Sequence, residues 1–210
     1  MFHRRILAAA LPGLCIGLGL GLCVCPCDRA AVGGAGVRPG AAVDPRFPAA
    51  VTRTIGGKPV RLTLTGTAVR RKYGFSVYSV ASYLREGLRV RDADGLSRAD
   101  AAKELHLIFD RDVDGATMAR AFRASIGMSH PAPAFGAELA SLEKYFLSHP
   151  LKQGDHVRLT HVPGVGLGCQ VGGQTPVVVG GVGFAQAAWG TYLGPNHLGV
   201  AIKDGLTSRL

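Results

Sequence analysis

The first alternation of apolar and polar residues along the chain predicts a β-hairpin. Over residues 60–65, Leu62 and Leu64 alternate with Arg and Thr residues, which is the pattern of a strand with one buried face. A Gly-Gly pair at 56–57 precedes this strand and is typical of a tight turn. We therefore predict a hairpin that pairs residues 51–55 with residues 60–65.

Residues 73–84 are the strongest strand signal in the chain. Apolar and aromatic residues occupy both parities of this segment, so both faces of the strand are predicted to be buried. A strand of this kind needs helices or a ligand over its second face. The pattern therefore argues against a bare, open sheet.

Helical patterns follow this strand. Ser97 is placed to cap a short helix that runs to about Glu104, after which residues 105–109 return as a strand. Asp114 is placed to cap a second helix that ends near Ile126. A third helix has an apolar stripe suited to packing on the sheet, formed by Phe135, Leu139, Leu142 and Phe146.

Short strands and two helices complete the predicted order of elements. Residues 157–162, 169–171 and 176–179 read as strands joined by Gly-rich turns. Residues 184–193 and 198–206 read as helices on either side of a Gly-Pro break. Strands, helices, strands and helices in this order predict an α+β fold, with an antiparallel sheet covered by helices on one face.

The N-terminal segment has the composition of a targeting sequence. Two arginines near the start of residues 1–30 precede a run from residue 6 to residue 27 without any charge. We predict a signal peptide or membrane anchor, with cleavage and anchoring both open. Residues 31–46 then predict a flexible linker, and residues 47–210 a single domain. We expect export to the periplasm or cell envelope.

Charge and cysteine content narrow the expected partners. The 210-residue chain has a net charge of +10, and +8 remains without the three Arg and one Asp of residues 1–30. This balance favours acidic small molecules or anionic lipid surfaces, while the dispersed basic residues argue against nucleic acid. Four of the five cysteines lie in residues 1–30, so Cys169 has no disulfide partner in the domain. We expect a monomer.

Common catalytic and cofactor motifs are absent from the sequence. It contains no Gly-x-Ser-x-Gly elbow, His-Glu-x-x-His helix or P-loop. The glycines at 181 and 183 lack the third glycine of a dinucleotide fingerprint. His156 and His161 have opposite parities on one predicted strand and cannot share a metal there. We predict no metal and no cofactor.

An ordered set of short motifs is present, namely Gly66–Arg70, the aromatic strand at 75–84, Arg111–Val113, Gly154–Asp155, Pro163–Gly168 and Trp189–Gly194. This set resembles the chalcone isomerase-like family, and the resemblance covers the chain from about residue 47 to residue 210. The resemblance implies an open-faced β-sandwich, which is a large antiparallel sheet under a layer of helices. This family includes plant enzymes that close a chalcone into a flavanone, fatty-acid-binding members and bacterial members of unclear role.

The resemblance implies a ligand site with three positions for charged or hydroxyl groups. Arg70 corresponds to the enzymes' arginine at the strand entrance, with Arg71 as the alternative if the register shifts by one. Tyr78 replaces a strand threonine of the plant enzymes and keeps a hydroxyl group. Arg111 corresponds to the arginine that fatty-acid-binding members direct at a carboxylate.

Three further positions bear on catalysis. Met118 stands where the plant enzymes have their catalytic tyrosine, and Ser125 stands where they have an asparagine. Thr191 agrees with a substrate-contacting serine or threonine of the family. Each of these six residues also has a structural interpretation: surface or ion-paired arginines, core packing, or hydroxyls that bond to their own helix.

Three hypotheses follow from these residues. The first is a non-catalytic envelope protein that binds a fatty acid or similar small amphipathic acid, with the acid group on Arg70, Arg111 and Tyr78. The second is an isomerase of the chalcone isomerase type, an intramolecular lyase acting on a conjugated phenol, in which Arg70, Tyr78 and Thr191 stabilise negative charge. The third is an envelope protein that binds a partner and no small ligand.

Overall fold

A seven-stranded antiparallel sheet is the framework of the computed structural model, which describes residues 44–210. Neighbouring strands in the sheet are also neighbours in the chain, so the sheet is a simple meander. The strands are β1 (Ala50–Ile55), β2 (Lys58–Lys72), β3 (Phe75–Arg85), β4 (Lys103–Phe109), β5 (His156–Val162), β6 (Gly166–Val171) and β7 (Val177–Gly180). The helices are α1 (Ala93–Arg98), α2 (Gly115–Gly127), α3 (Gly136–Ser148), α4 (Val182–Leu193) and α5 (Val200–Leu206).

The helices form one layer on the sheet. α2 packs against α3 and α4, α4 packs on β5 and β6, and α5 packs on β2. Large side chains fill the space between helices and sheet, and those that are fully buried include Trp189, Phe109, Phe146 and Phe184. The predicted α+β fold, with a large antiparallel sheet and a layer of helices, is confirmed.

Several local predictions agree with the structure. Ile55 pairs with Lys58 across the Gly-Gly turn, as expected for the first hairpin. The Asp114 side chain caps α2 by accepting a hydrogen bond from the Thr117 backbone N–H at 2.8 Å. In the predicted apolar stripe of α3, Leu139, Leu142 and Phe146 are buried. Short-range patterns were sufficient for these elements.

The prediction of a helix from Ser97 to Glu104 was wrong. α1 ends at Arg98, and Ser97 lies in its last turn. Asp92 caps this helix instead, because its Oδ1 accepts a hydrogen bond from Gly95 N at 2.7 Å. Every residue of β4, which starts at Lys103, is buried between β3 and β5. Pairing within the sheet therefore overrides the local helical pattern.

A β-bulge at Thr65 reverses the faces of β2. Strict alternation would place Leu62, Leu64 and Arg70 on the same face of the sheet. The register of β2 against β3 shifts at Thr65, so Leu62 and Leu64 pack on the face away from the helices, whereas Ala68 packs in the main core. Arg70 follows Ala68 by two residues and therefore lies on the helix side.

A second bulge, at Val77, changes which side chains of β3 face the helices. Arg70 pairs with Tyr78 and Arg71 pairs with Ser76, which leaves Val77 without an opposing residue on β2. Tyr78 and Val77 both face the helix side as a result, and both contact the main core. Bulges re-aim side chains in this way beside binding sites.

Helix α5 lies unusually close to β2. Gly66 has a φ of 155°, and a Cβ atom added there would lie 2.0 Å from the Gly205 carbonyl oxygen. The Thr65 hydroxyl donates to the Leu206 carbonyl at 2.9 Å. This close approach holds the chain before α5, which includes Leu198, over the end of β2.

The predicted leader, residues 1–30, lies outside the described residues, as does most of the predicted linker. Arg46, at the linker's end, is hydrogen-bonded to Asp110 at 3.0 Å and to Ser79. Within residues 44–210, no helix combines the length and apolar character that crossing a bilayer requires.

Lys103 is fully buried beside α1 and α4. Its Nζ donates to the Leu96 and Ser97 carbonyls, both at 2.7 Å, and lies 5.1 Å from the centre of the Trp189 ring. Burial lowers the pKa of Lys103 to about 7, although the nearby Asp100 carboxylate partly opposes the shift. The amine therefore changes charge inside the folded protein near neutral pH.

We expect the free energy of unfolding to rise by about 1–2 kcal/mol between pH 7 and pH 9. In this window the unfolded chain, with an ordinary lysine pKa of 10.5, binds more protons than the folded protein, so stability increases with pH. Urea unfolding at several pH values measures the effect. Lys103→Met should remove the rise, whereas Lys144→Met, at an exposed position of α3, should retain it. An unchanged rise in Lys103→Met would contradict the assignment.

Candidate functional site

A cleft of about 530 Å³ lies between the helix layer and the ends of β2, β3 and β4. Its size is in the range of small-molecule sites. Its walls also include residues of α2, α4 and the segment before α5. All six residues selected in the sequence line it: Arg70, Tyr78, Arg111, Met118, Ser125 and Thr191.

Two tyrosine hydroxyls form the polar group at the base of the cleft. The hydroxyl oxygens of Tyr78 and Tyr192 are 3.3 Å apart, and both side chains are buried. Burial raises the pKa of Tyr78, while the Tyr192 hydrogen bond and the Arg70 charge oppose this shift. Burial also raises the pKa of Tyr192 well above its usual value. Both hydroxyls therefore stay protonated at neutral pH and can donate hydrogen bonds.

Arg70 is held at one side of the cleft. Its Nη1 donates to the Leu198 carbonyl at 2.7 Å, which uses one of the five N–H donors of the guanidinium. Within residues 44–210, no carboxylate lies within 4.0 Å of Arg70 to form an ion pair. The side chain is fixed in position by a neutral group and keeps its positive charge for a ligand.

Arg111 lies at the exposed mouth of the cleft. Its guanidinium is 5.9 Å from the centre of the Phe75 ring, and in the described part of the chain it has neither a hydrogen-bond nor an ion-pair partner. Two acidic residues also line the mouth, but both have other partners. Asp112 accepts from Lys152 Nζ at 3.0 Å, and Asp114 caps α2.

These partners keep both mouth carboxylates ionised. Hydrogen bonds lower the pKa of Asp112, chiefly the bond from the Gln153 backbone N–H. The pKa of Asp114 is lowered mainly by its bond with Thr117. Asp112 is bonded to the loop before β5 and Asp114 to its own helix, so the cleft-lining cations, among them Arg70 and Arg111, remain the charged groups available to a ligand.

The other three selected residues contribute little hydrogen-bond donor capacity. Met118 is buried and forms part of the apolar floor together with Phe122. The Ser125 hydroxyl donates to the Ala121 carbonyl, and the Thr191 hydroxyl donates to the Ala188 carbonyl, both at 2.8 Å. Each hydroxyl bonds to its own helix and retains only acceptor capacity toward the cleft.

Several residues that line the cleft were not among those predicted from the sequence. Tyr192 is the most important of them, because its hydroxyl is the partner of Tyr78. A signal was present, since Tyr192 follows Thr191 directly in an uncharged helix where a buried hydroxyl needs a partner. The further lining residues that were not selected include Lys72, Tyr73, Phe75, Val77, Phe109, Phe122 and Leu198.

Other possible reactive groups lie outside this cleft. Cys169 is buried on β6, and burial raises the pKa of its thiol, so a nucleophilic thiolate is disfavoured. Among residues 44–210, no three His, Cys, Asp or Glu side chains form a group that could hold a metal ion.

The antiparallel sheet and its helix layer define an α+β protein, and its apolar cleft with basic groups has the size of a small-molecule site. The chain matches the family model described as chalcone isomerase-like over residues 47–207, and it belongs to that family. Its fold is also similar to the crystal structure of a fatty-acid binding protein of Arabidopsis thaliana. The two chains share 16% sequence identity with a TM-score of 0.61, over 79% of this chain and 95% of the plant protein. Comparison with curated proteins gives no match.

Proposed function

We propose that this protein binds a fatty acid or a similar small amphipathic acid and does not convert it chemically. The observation that carries the proposal is the pair of arginines without carboxylate partners, Arg70 and Arg111, beside an apolar cleft of about 530 Å³. A carboxylate at the inner end would pair with Arg70, while Arg111 at the mouth would attract it on entry, and an alkyl chain would cover the apolar floor.

The hydroxyl pair supports the same ligand. Tyr78 and Tyr192 are 3.3 Å apart and protonated at neutral pH. Only one hydrogen is needed for the bond between them, so the second hydroxyl hydrogen remains for an acceptor. Together with Arg70, this donor would bind one carboxylate oxygen at the inner end of the cleft.

The lack of further donors argues against catalysis. Stabilising an oxyanion requires several preorganised donors aimed at the developing charge. Met118 has no donor, and Ser125 and Thr191 donate to their own helices. The plant structure with the similar fold is itself described as a fatty-acid binding protein, which agrees with a binding role.

A second candidate function is the isomerase reaction of the family's plant enzymes. The observation that favours it is the Tyr78–Tyr192 hydroxyl pair near Arg70, because these groups could stabilise negative charge on a ketone oxygen. This function requires turnover of a chalcone above its spontaneous rate, and loss of that turnover in Arg70→Ala.

Lipid extraction and a matched pair of ligands test the binding proposal. Organic extraction of the purified protein followed by mass spectrometry should yield fatty acids. After removal of lipid, the protein should bind palmitic acid roughly 10- to 100-fold more tightly than hexadecanol, since only the acid gains charge-assisted hydrogen bonds. Isothermal titration calorimetry measures both affinities.

Two results would contradict the proposal. One is a protein that carries no extractable fatty acid and shows equal affinity for the acid and the alcohol. The other is catalysed cyclisation of a chalcone by the same preparation, which would favour the isomerase.

Export to the periplasm or cell envelope is also part of this proposal. It is supported by the basic start and uncharged run of residues 1–30. Fractionation of cells that express the full chain tests it, and recovery only from the cytosol would contradict it.

A further inference from the structure

The turn between β2 and β3 exposes aromatic side chains at the mouth of the cleft. We use the name hairpin tip for residues 71–75. Tyr73 is 87% exposed and Phe75 is 66% exposed, and they are the two most exposed large hydrophobic side chains of the described residues. Soluble proteins seldom expose neighbouring aromatic groups in this way unless the surface meets a partner or a membrane.

The backbone conformation of the turn does not explain why residue 73 is a tyrosine. Tyr73 and Gly74 both have positive φ values, 51° and 82°, as in a type I′ turn that favours Asn or Gly. A bulky residue in the left-handed region is disfavoured. The exposed ring is therefore present at a position where a smaller residue would suit the turn better, which points to a role for the ring itself.

Basic side chains surround the exposed rings. Arg71 and Lys72 are exposed on the same hairpin, and no acidic residue occurs from position 63 to position 85. Lys72 Nζ lies 5.3 Å from the centre of the Tyr73 ring, and the Arg111 guanidinium lies near Phe75. Aromatic rings beside lysine and arginine match the interface of an anionic bilayer, where rings enter the headgroup region and the cations meet lipid charges.

We propose that the hairpin tip docks the mouth of the cleft on an anionic lipid bilayer. Lys72, Tyr73 and Phe75 belong both to the tip and to the cleft wall, so the docked protein opens its cleft toward the membrane. An amphipathic ligand then passes between bilayer and cleft without crossing bulk water. Docking itself does not depend on the identity of the ligand, because it uses the exposed surface of the tip.

A fluorescent reporter on the tip separates this docking from any membrane contact of residues 1–30. The full chain with Phe75→Trp is mixed with phosphatidylcholine vesicles, either alone or with about one-third phosphatidylglycerol. The native Trp189 is fully buried and supplies a constant background. We expect a blue shift, and quenching by brominated lipid, only with the anionic vesicles.

The control reporter is Val165→Trp in the turn between β5 and β6, where the native side chain is 49% exposed. The antiparallel register places this turn at the opposite end of the strands from the β2–β3 turn. The emission of this reporter should not change. No change in the Phe75→Trp emission, or an equal change for both reporters, would overturn the proposal. The proposal would also be overturned if sedimentation velocity showed a dimer that Tyr73→Ser disrupts, because the tip would then contact a second copy of the protein.

Charge reversal provides an independent test. Arg71→Glu combined with Lys72→Glu should weaken partitioning into the anionic vesicles by about tenfold or more. Lys58→Glu combined with Arg89→Glu changes the net charge equally at exposed positions outside the tip, and should weaken it by less than about threefold. Equal losses in the two double variants would mean that net charge alone drives binding, which would overturn the assignment to the tip.

Discussion

Gly115→Ala is expected to destabilise the protein by about 3 kcal/mol. Gly115 is the first residue of α2 and is buried against the end of α3. An added Cβ atom would lie 2.1 Å from the Phe146 carbonyl oxygen and 3.0 Å from the Leu147 Cα. These are backbone atoms, so no side-chain rotation relieves the overlap and the helices must move apart.

The same movement should disturb the cleft, because α2 carries Met118, Phe122 and Ser125 of its wall. Urea unfolding measures the stability, and palmitic acid titration measures the consequence for the site. Gly127→Ala, at the other end of the same helix, is the matched control. A Cβ atom there meets no atom within 4 Å, so we expect unchanged or slightly higher stability. Equal losses in both variants would disprove the steric explanation.

Removing both arginines of the cleft is the second large change. We expect the Arg70→Met, Arg111→Met double variant to bind palmitic acid roughly 10- to 100-fold more weakly than the native protein. Affinity for hexadecanol should change by less than about threefold, because the alcohol makes no charged contact. Calorimetric titration of both ligands gives the two ratios.

The single variants divide this effect between the two positions. Arg70 is half-buried and fixed by Leu198, whereas Arg111 is exposed, so the larger loss is expected for Arg70→Met. Arg70→Lys should recover only part of the affinity, because an ammonium group retains the charge but not the two-pronged geometry.

Arg89→Met is the control for charge alone, since Arg89 is exposed and does not line the cleft. It should leave both affinities unchanged. A loss that is equal for acid and alcohol in the double variant would show that the arginines support the structure and do not bind the acid.

The cleft and the hairpin tip form one continuous surface. Tyr78 and Tyr192 lie at the inner end with Arg70, whereas Lys72, Tyr73, Phe75 and Arg111 lie at the mouth. Polar groups therefore occupy both ends of an apolar wall. An amphipathic acid would find a charged partner while entering the cleft and a second one when fully bound.

Much of the fold could be predicted from local sequence patterns. The first hairpin, the Asp114 cap of α2 and the buried stripe of α3 depend on residues only a few positions apart. Side chains two, three or four residues apart share a face of a strand or helix, so these elements can be identified without knowing their neighbours. The six site residues came from the resemblance to the family, and the structure brings all six to one cleft.

Tertiary contacts decided the remaining features, because they join residues that are far apart in the chain. Strict alternation places Arg70 on the same face as Leu62 and Leu64, and only the bulge at Thr65, where β2 meets β3 and α5, moves it to the helix side. α1 ends at Arg98 because the chain from Lys103 onward pairs within the sheet as β4.

The roles of the hydroxyl groups also required the tertiary structure. Tyr78 and Tyr192 are separated by 114 positions in the chain, so no local pattern could pair them. Local sequence determined the strands, helices and caps of this protein, since neighbouring residues share their faces. The packing of α2, α4 and α5 on two bulged strands decided which of those residues meet in the cleft, since side-chain direction in a sheet depends on the partner strand.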